Sequence, residues 1–184
     1  MNWLNEPPFW SAQGAGLTFT TAPKSDFWRK THYGFIRDNG HVYATAVTGD
    51  FVATARFTGA YTTLYDQAGL MVRADEENWL KCGIEYVEGI HYASAVVTRD
   101  FSDWSVSPMG PTAPDLNLRV TPVGATLTVE VGVGDGRLGV LRSAYLPMGD
   151  QVLVGPMACS PGELGFAVTF SDWSVTPSGD QHGD

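Results

Sequence analysis

The chain has 184 residues, 43% of them hydrophobic and 17% charged, enough to bury one core without metals or disulfides. With 20 acidic against 11 basic residues its net charge is −9, and no basic cluster exceeds Trp28-Arg29-Lys30. Nucleic acid is therefore excluded as a partner, because phosphate binding needs concentrated positive charge, and no 18-residue apolar run offers a membrane span.

Period-2 runs bounded by Gly, Pro, Asn and Asp recur along the chain, and no stretch sustains a 3.6-residue period, so the sequence predicts an all-β protein. The residues from Met1 to Pro8 carry neither a basic region nor an apolar run, which argues against a secretory signal and for a cytoplasmic protein. Strands are expected over residues 17–21, 41–48, 51–58, 67–74, 78–87, 90–99, 116–122, 125–131, 137–145, 151–157 and 164–175. Asn39-Gly40, Gly49-Asp50, Glu88-Gly89, Val123-Gly124 and Gly134-Asp135-Gly136 supply the turns between them. Short loops predict antiparallel meanders, and about eleven strands exceed what one twisted sheet accommodates, so two packed sheets follow. Residues 1–177 form a single domain in this reading, and residues 178–184 a polar tail without order. Between Pro7 and Gly34 the aromatics Trp10, Phe27, Trp28 and Tyr33 predict a segment that packs down onto the body. Cys82 and Cys159 are expected as reduced thiols.

Two decapeptides, FSDWSVSPMG at residues 101–110 and FSDWSVTPSG at residues 170–179, agree at eight of ten positions. They read as two equivalent strand endings, each burying a Trp and stopping at a Pro. In the second copy Leu164, Phe166, Val168 and Phe170 share one face while Trp173 and Val175 take the other, which predicts a bulge near Ser171-Asp172. A ligand or metal role for Asp103 and Asp172 finds no support elsewhere in the sequence.

The runs Tyr65-Asp66-Gln67-Ala68-Gly69-Leu70-Met71-Val72-Arg73 and Asn78-Trp79-Leu80-Lys81-Cys82-Gly83-Ile84-Glu85-Tyr86, with Val96-Val97-Thr98-Arg99 leading into Ser102-Asp103-Trp104-Ser105, resemble the concanavalin A-like family named after a yeast regulator of enolase. The same pattern, with the closing strands from Val154 to Trp173, is similar to β-sandwich accessory domains of glycoside hydrolases. The resemblance implies a jelly-roll β-sandwich of two antiparallel sheets, one of them concave. It implies no single activity, since function is set by the site and not by the fold.

Hairpin arithmetic aligns the central strands. Pairing Ala74 with Asn78 sets Gln67 opposite Glu85, Gly69 opposite Gly83, Met71 opposite Lys81 and Arg73 opposite Trp79. A two-residue turn at Glu88-Gly89 then sets Tyr92 beside Glu85, Ser94 beside Gly83 and Val96 beside Lys81. An unpaired Lys and Glu do not suit a sandwich interior, so this row points away from the inter-sheet core. Gly69, Gly83 and Ser94 would form a low floor between Glu85 and Lys81, which are about 13 Å apart, a gap the size of a sugar or small ligand. Trp79 and Tyr92 would stack on that ligand, with Gln67, Arg73, Lys81 and Glu85 as hydrogen-bonding groups and Met71 at the rim. Against this stands a plainer reading: the glycines admit curvature or a covering segment such as Phe27-Trp28-Arg29, and the charges are solvated.

Three functions are carried forward: a module binding a carbohydrate or another small polar-aromatic ligand; a small enzyme (isomerase, cyclase or glycan-active) with Glu85 as general acid or base and Lys81 or Tyr92 stabilising charge; and a regulatory domain with a protein partner or as a homodimer. His32, His41, His91 and His182 lack metal-ligand spacing, and no nucleophile elbow or phosphate loop is present, so neither a metal nor a cofactor is expected. Asp75-Glu76-Glu77 reads as a solvated hairpin tip. Asp66, at the entry of its strand, would have to turn inward to give Glu85 a second carboxylate.

Overall fold

A computed structural model describes residues 1–178; from residue 179 onward the expected tail, with His182, lies outside the described residues. Among the described residues sixteen strands follow one another: β1 (Asn2–Leu4), β2 (Phe9–Gln13), β3 (Gly16–Thr20), β4 (Phe27–Arg29), β5 (Ile36–Asp38), β6 (His41–Thr48), β7 (Phe51–Gly59), β8 (Gln67–Arg73), β9 (Asn78–Val87), β10 (Ile90–Arg99), β11 (Phe101–Gly110), β12 (Leu116–Val123), β13 (Thr126–Val133), β14 (Gly139–Tyr145), β15 (Gln151–Cys159) and β16 (Ala167–Pro177). The first sheet has the order β1-β6-β15-β8-β9-β10-β11, the second β14-β13-β12-β7-β16-β3-β2, and β4 pairs with β5 as a separate hairpin. All strand pairs within the sheets are antiparallel, as the alternation predicts.

The turn chemistry accounts for most of this order. Glu88 and Gly89 both take positive φ (50° and 87°), the requirement of the tight hairpin turn that Glu-Gly suggested. A single residue, Asp100 (φ 61°), turns β10 into β11, a conformation that Asp tolerates better than most residues. Gly49-Asp50 does not make the expected hairpin. It carries the chain from β6 in the first sheet to β7 in the second, because Val47 and Phe51 both bury into the shared core.

The register agrees with the alignment derived from the hairpins: Gln67 opposes Glu85, Gly69 opposes Gly83, Met71 opposes Lys81 and Arg73 opposes Trp79, while Tyr92, Ser94 and Val96 oppose Glu85, Gly83 and Lys81. Leu70, Val72, Leu80, Cys82 and Ile84 pack with Phe57, Leu118, Val120 and Phe170 of the second sheet in the main core. Each such side chain contributes about 1.5–3 kcal/mol of burial. The alternate row therefore faces outward from the sandwich. It is nonetheless not open to solvent. Phe27 closes over it and joins Val42, Ala44, Met71, Trp79, Val96, Met157 and Cys159 in a second apolar cluster.

The duplicated decapeptides part company in three dimensions. The bulge expected near Ser171 is present, since Phe170 pairs with Phe57 and Asp172 with Arg56. The equivalence is corrected: the second copy lies within the second sheet between β7 and β3, whereas the first copy is the edge strand β11 of the other sheet. Trp173 packs beside Tyr43 at 6.0 Å, while Trp104 is 42% exposed. Pro108 does not stop its strand. The irregularity of β11 comes near its end, between His91–Gly110 and Tyr92–Pro108 pairing.

Candidate functional site

The cover over the first sheet is the β4–β5 hairpin, and charge fixes it there. Arg73 donates from both terminal nitrogens to the Asp38 carboxylate, at 2.7 and 2.8 Å. Arg29 reaches Glu77 and Asp100, each at 2.9 Å. Lys81 Nζ, fully enclosed, donates to the Phe27 carbonyl at 2.6 Å and to Asp26 Oδ1 at 3.2 Å. Burial works against the charge on Lys81, and the Asp26 carboxylate overrides it and holds the pKa above the ordinary lysine value.

This corrects the picture of an open dent running from Lys81 to Glu85. Trp79 is fully buried under Phe27, their rings 6.1 Å apart edge to face, and presents no exposed platform. Met71 is buried in the same cluster. Arg73 spends its fork of donors on Asp38, and Lys81 spends its ammonium on the hairpin. The floor glycines also have a different reason from ligand approach. A Cβ on Gly83 would lie 2.0 Å from the Ala68 carbonyl oxygen, and one on Gly69 would lie 1.9 Å from that of Cys82. Side-chain-free positions are needed because β8 and β9 come close there. The space left above them, bounded by Gln67, Lys81, Gly83, Ser94 and Met157, is about 10 Å³, room for one water and no more.

The Glu85 end is different. A cavity of about 240 Å³ opens there, lined by Asp26, Trp28, Tyr33, Phe35, Tyr65, Gln67, Glu85, Trp104 and Pro161. Its polar groups come from the sheet and the hairpin base, its aromatic walls from the hairpin, the loop before β8 and the edge strand. Ser94 Oγ and Trp104 Nε1 both donate to Glu85 Oε2 at 2.8 Å, so three adjacent strands converge on one oxygen. The residue is 5% exposed. Burial pushes the Glu85 carboxyl above the usual carboxylate range, and Lys81, Ser94 and Trp104 oppose that rise only in part. Tyr33 and Phe35 stack at 5.3 Å, Trp28 meets Tyr33 edge on at 5.9 Å, and Tyr65 stands perpendicular to Trp104 at 6.4 Å. Trp28, Tyr33, Tyr65 and Trp104 also line a larger outer hollow of about 730 Å³ with Thr31, His32, Ser102 and Asp103.

Of the residues expected at a site, Gln67 and Glu85 line the cavity, and Ser94 holds Glu85 in place. Gly69, Met71, Arg73, Trp79, Lys81 and Gly83 lie beside it, beneath the cover, and Tyr92 is not among the lining residues. Asp26, Trp28, Tyr33, Phe35, Tyr65 and Trp104 were not anticipated. Trp104 had a readable signal: carrying the register across the turn at Asp100 pairs it with Val96, on the same face as Lys81. Asp66 gives Glu85 no partner. It is buried and accepts from the Thr62 and Thr63 amides at 2.8 Å and from the Thr63 and Ser160 hydroxyls. Asp103 pairs with Arg142 at 3.1 Å, and no group of metal-ligating side chains occurs among the described residues. His41 accepts from the Ala22 amide through Nε2 and serves the N-terminal packing.

Residues 3–178 match the family described as protein of unknown function (DUF1349), and the chain belongs to it. A relative from Saccharomyces cerevisiae named regulation of enolase protein 1 is 44% identical over 174 residues, covering 95% of this chain and 88% of its own. A crystal structure of a functionally unknown Saccharomyces cerevisiae protein superposes with a TM-score of 0.91 at 44% identity, over 97% of each chain. The GH43 protein BlXynB of Bacillus licheniformis shares the β-sandwich at a TM-score of 0.71 and 16% identity, over 96% of this chain and 36% of that one.

Proposed function

We propose that this member of the family is a binding module whose cavity beside Glu85 takes one carbohydrate ring or another compact ligand of that size. The observation that carries the reading is a buried carboxylate, fixed by two donors on one oxygen, at the base of a cavity with five aromatic walls. Keeping a carboxylate out of water costs several kcal/mol unless it is paired, and the second oxygen, Oε1, has no hydrogen-bond partner among the described residues. A ligand hydroxyl or N–H would satisfy it. Aromatic faces suit the apolar faces of a ring, and the Gln67 amide offers both a donor and an acceptor. At about 240 Å³ the cavity falls below the usual range for drug-sized ligands, which favours one ring or one head group. The β-sandwich shared with a GH43 protein is compatible with this reading but concerns the fold alone.

A screen of monosaccharides and glycans by thermal shift tests the proposal, because a ligand that binds only the folded state raises its melting temperature. Absence of any shift, together with unchanged tryptophan fluorescence, would remove it. The raised pKa of Glu85 favours one second reading, an enzyme using this carboxyl as acid or base. Lys81 is engaged by the hairpin, so such chemistry would rest on Glu85 with Asp26 alone. If Glu85→Gln abolishes turnover while ligand still binds, the enzyme reading is selected; equal loss of both selects recognition. The name of the yeast relative supports a regulatory role, for which a stoichiometric protein partner should co-purify from lysate. A cytoplasmic setting, in which Cys82 and Cys159 stay reduced, belongs to the same proposal.

A further inference from the structure

Resting on the binding-module reading, the chemistry of the cavity narrows its ligand further: we infer that the group seated between the aromatic walls is an organic ammonium, a positively charged nitrogen carrying carbon substituents. Two observations lead there. The charged groups lining the cavity are both acidic, Asp26 and Glu85, and no Lys, Arg or His is among the lining residues. The cation nearest beneath, Lys81, is bonded to Asp26 and to the Phe27 carbonyl; it reaches Glu85 through its field alone, and among the described residues the Glu85 carboxylate has hydroxyl and indole donors but no directly paired cation. Uronates, sulfates and phosphates would meet this carboxylate with repulsion and are excluded.

The walls complete the match. Trp28, Tyr33, Tyr65 and Trp104 wall the cavity beside the carboxylate, while the Phe35 ring already carries Arg37 at 5.4 Å, and an alkylated ammonium is attracted to aromatic faces while its carbons bury against them. The site already uses this chemistry inside the fold, since Lys81 Nζ lies 5.8 Å from the Trp79 ring. An ammonium on a slender chain would leave through the outer hollow, whose Thr31, Ser102 and Asp103 present further hydrogen-bonding groups and whose lining includes no Lys or Arg. Both a methylated ammonium and the free amine of an amino sugar have this chemistry.

Calorimetric titration of the full chain with two matched pairs separates these sources. Choline is compared with 3,3-dimethylbutan-1-ol, its neutral carbon isostere, and glucosamine with N-acetylglucosamine. The inference expects the cation of at least one pair to bind ten-fold or more tightly than its neutral partner; which pair shows it tells a methylated ammonium from an amino sugar. Glu85→Gln should erase that preference to within about three-fold, and Tyr33→Ala, at the exposed hairpin tip, should weaken the cation more than its neutral partner. Neutral sugars that bind while neither cation does would overturn the inference and leave the binding module standing. Neutral members binding as tightly as cations would overturn it too, and if none of the four probes binds, the inference falls alone, since the binding module is removed only by failure of the wider thermal-shift screen.

Discussion

Trp104 donates its indole N–H to Glu85 across an intervening strand, with Nε1 2.8 Å from Oε2 and Ser94 of β10 donating to the same oxygen from between them. The edge strand is thereby tied to the floor of the cavity by a side chain that is also one of its walls. Trp104→Phe keeps an aromatic wall and deletes the donor. A hydrogen bond to a charged group contributes about 1.5–3 kcal/mol, so urea unfolding at neutral pH should show a loss in that range. The loss should shrink in acid, where a protonated Glu85 needs the donor less; a loss independent of pH would mean that ring size, not the N–H, is what matters.

The raised carboxyl of Glu85 makes a second prediction, in which the sign is unambiguous. In the folded state the group holds its proton to higher pH than in the unfolded chain, so the native state binds more protons across that interval. Stability then falls as pH rises from the ordinary carboxylate range through the folded pKa, and levels off above it. Lys81, Asp26, Ser94 and Trp104 face the group and set the position of the interval. Glu85→Gln should lack this contribution, so its stability relative to the parent should increase between pH 4 and pH 8. Melting curves at four or five pH values suffice, and a difference that runs the other way would refute the assignment.

The Lys81–Asp26 pair is a third test, because it holds the cover down from below. Lys81→Met leaves Asp26 and the Phe27 carbonyl without their donor in a dry setting, and breaking a buried pair from one side costs about 3–5 kcal/mol. Adding Asp26→Asn removes the stranded charge and keeps an acceptor for the Phe27 amide, 2.7 Å away. The double variant should recover more than half of the loss in chemical denaturation. Equal stability of single and double variants would show that a stranded Asp26 charge is not what the loss measures, and a single variant as stable as the parent would show that the hairpin is held without Lys81.

The meander from β8 to β10 was legible because its turns admit few conformations. Glu88-Gly89 fixes one register, Asp75 to Glu77 fixes the next, and two charged residues on one row forbid the inward face. That Phe27-Trp28-Arg29 covers the row stood in the sequence as the plainer of two readings, and Phe27 does close over it; how the cover is built and anchored was not legible, and the reason is physical. Strands β4 and β5 are three residues each, too short to show a period. What anchors them, Arg29 to Asp100 and Arg73 to Asp38, joins positions 71 and 35 residues apart. The expectation that aromatics between Pro7 and Gly34 pack down was sound in kind; that they would bury the Lys81 half of the row and wall the Glu85 half was beyond local patterning. Trp104 and Trp173 sit in the same local sequence, and only their sheet neighbours make one a cavity wall and the other a core flank.

Gly83 offers the sharpest structural test. Its φ of 151° is one that side chains rarely adopt, and a Cβ there would lie 2.0 Å from the Ala68 carbonyl oxygen and 2.7 Å from the Gly69 Cα. Both obstacles are backbone atoms of the paired strand, so relief requires β8 and β9 to separate in the middle of the sheet. That would also move Glu85, two residues along. Gly83→Ala should therefore cost several kcal/mol, well beyond the ordinary glycine-to-alanine range of strands, and yield little soluble protein at 37 °C. Gly139→Ala, where nothing stands within 4 Å of the added carbon, should remain within about 0.5 kcal/mol of the parent. If Gly83→Ala were stable but no longer bound ligand, the close approach of β8 and β9 would not be what demands glycine, and room for a ligand above the pair would return as the explanation.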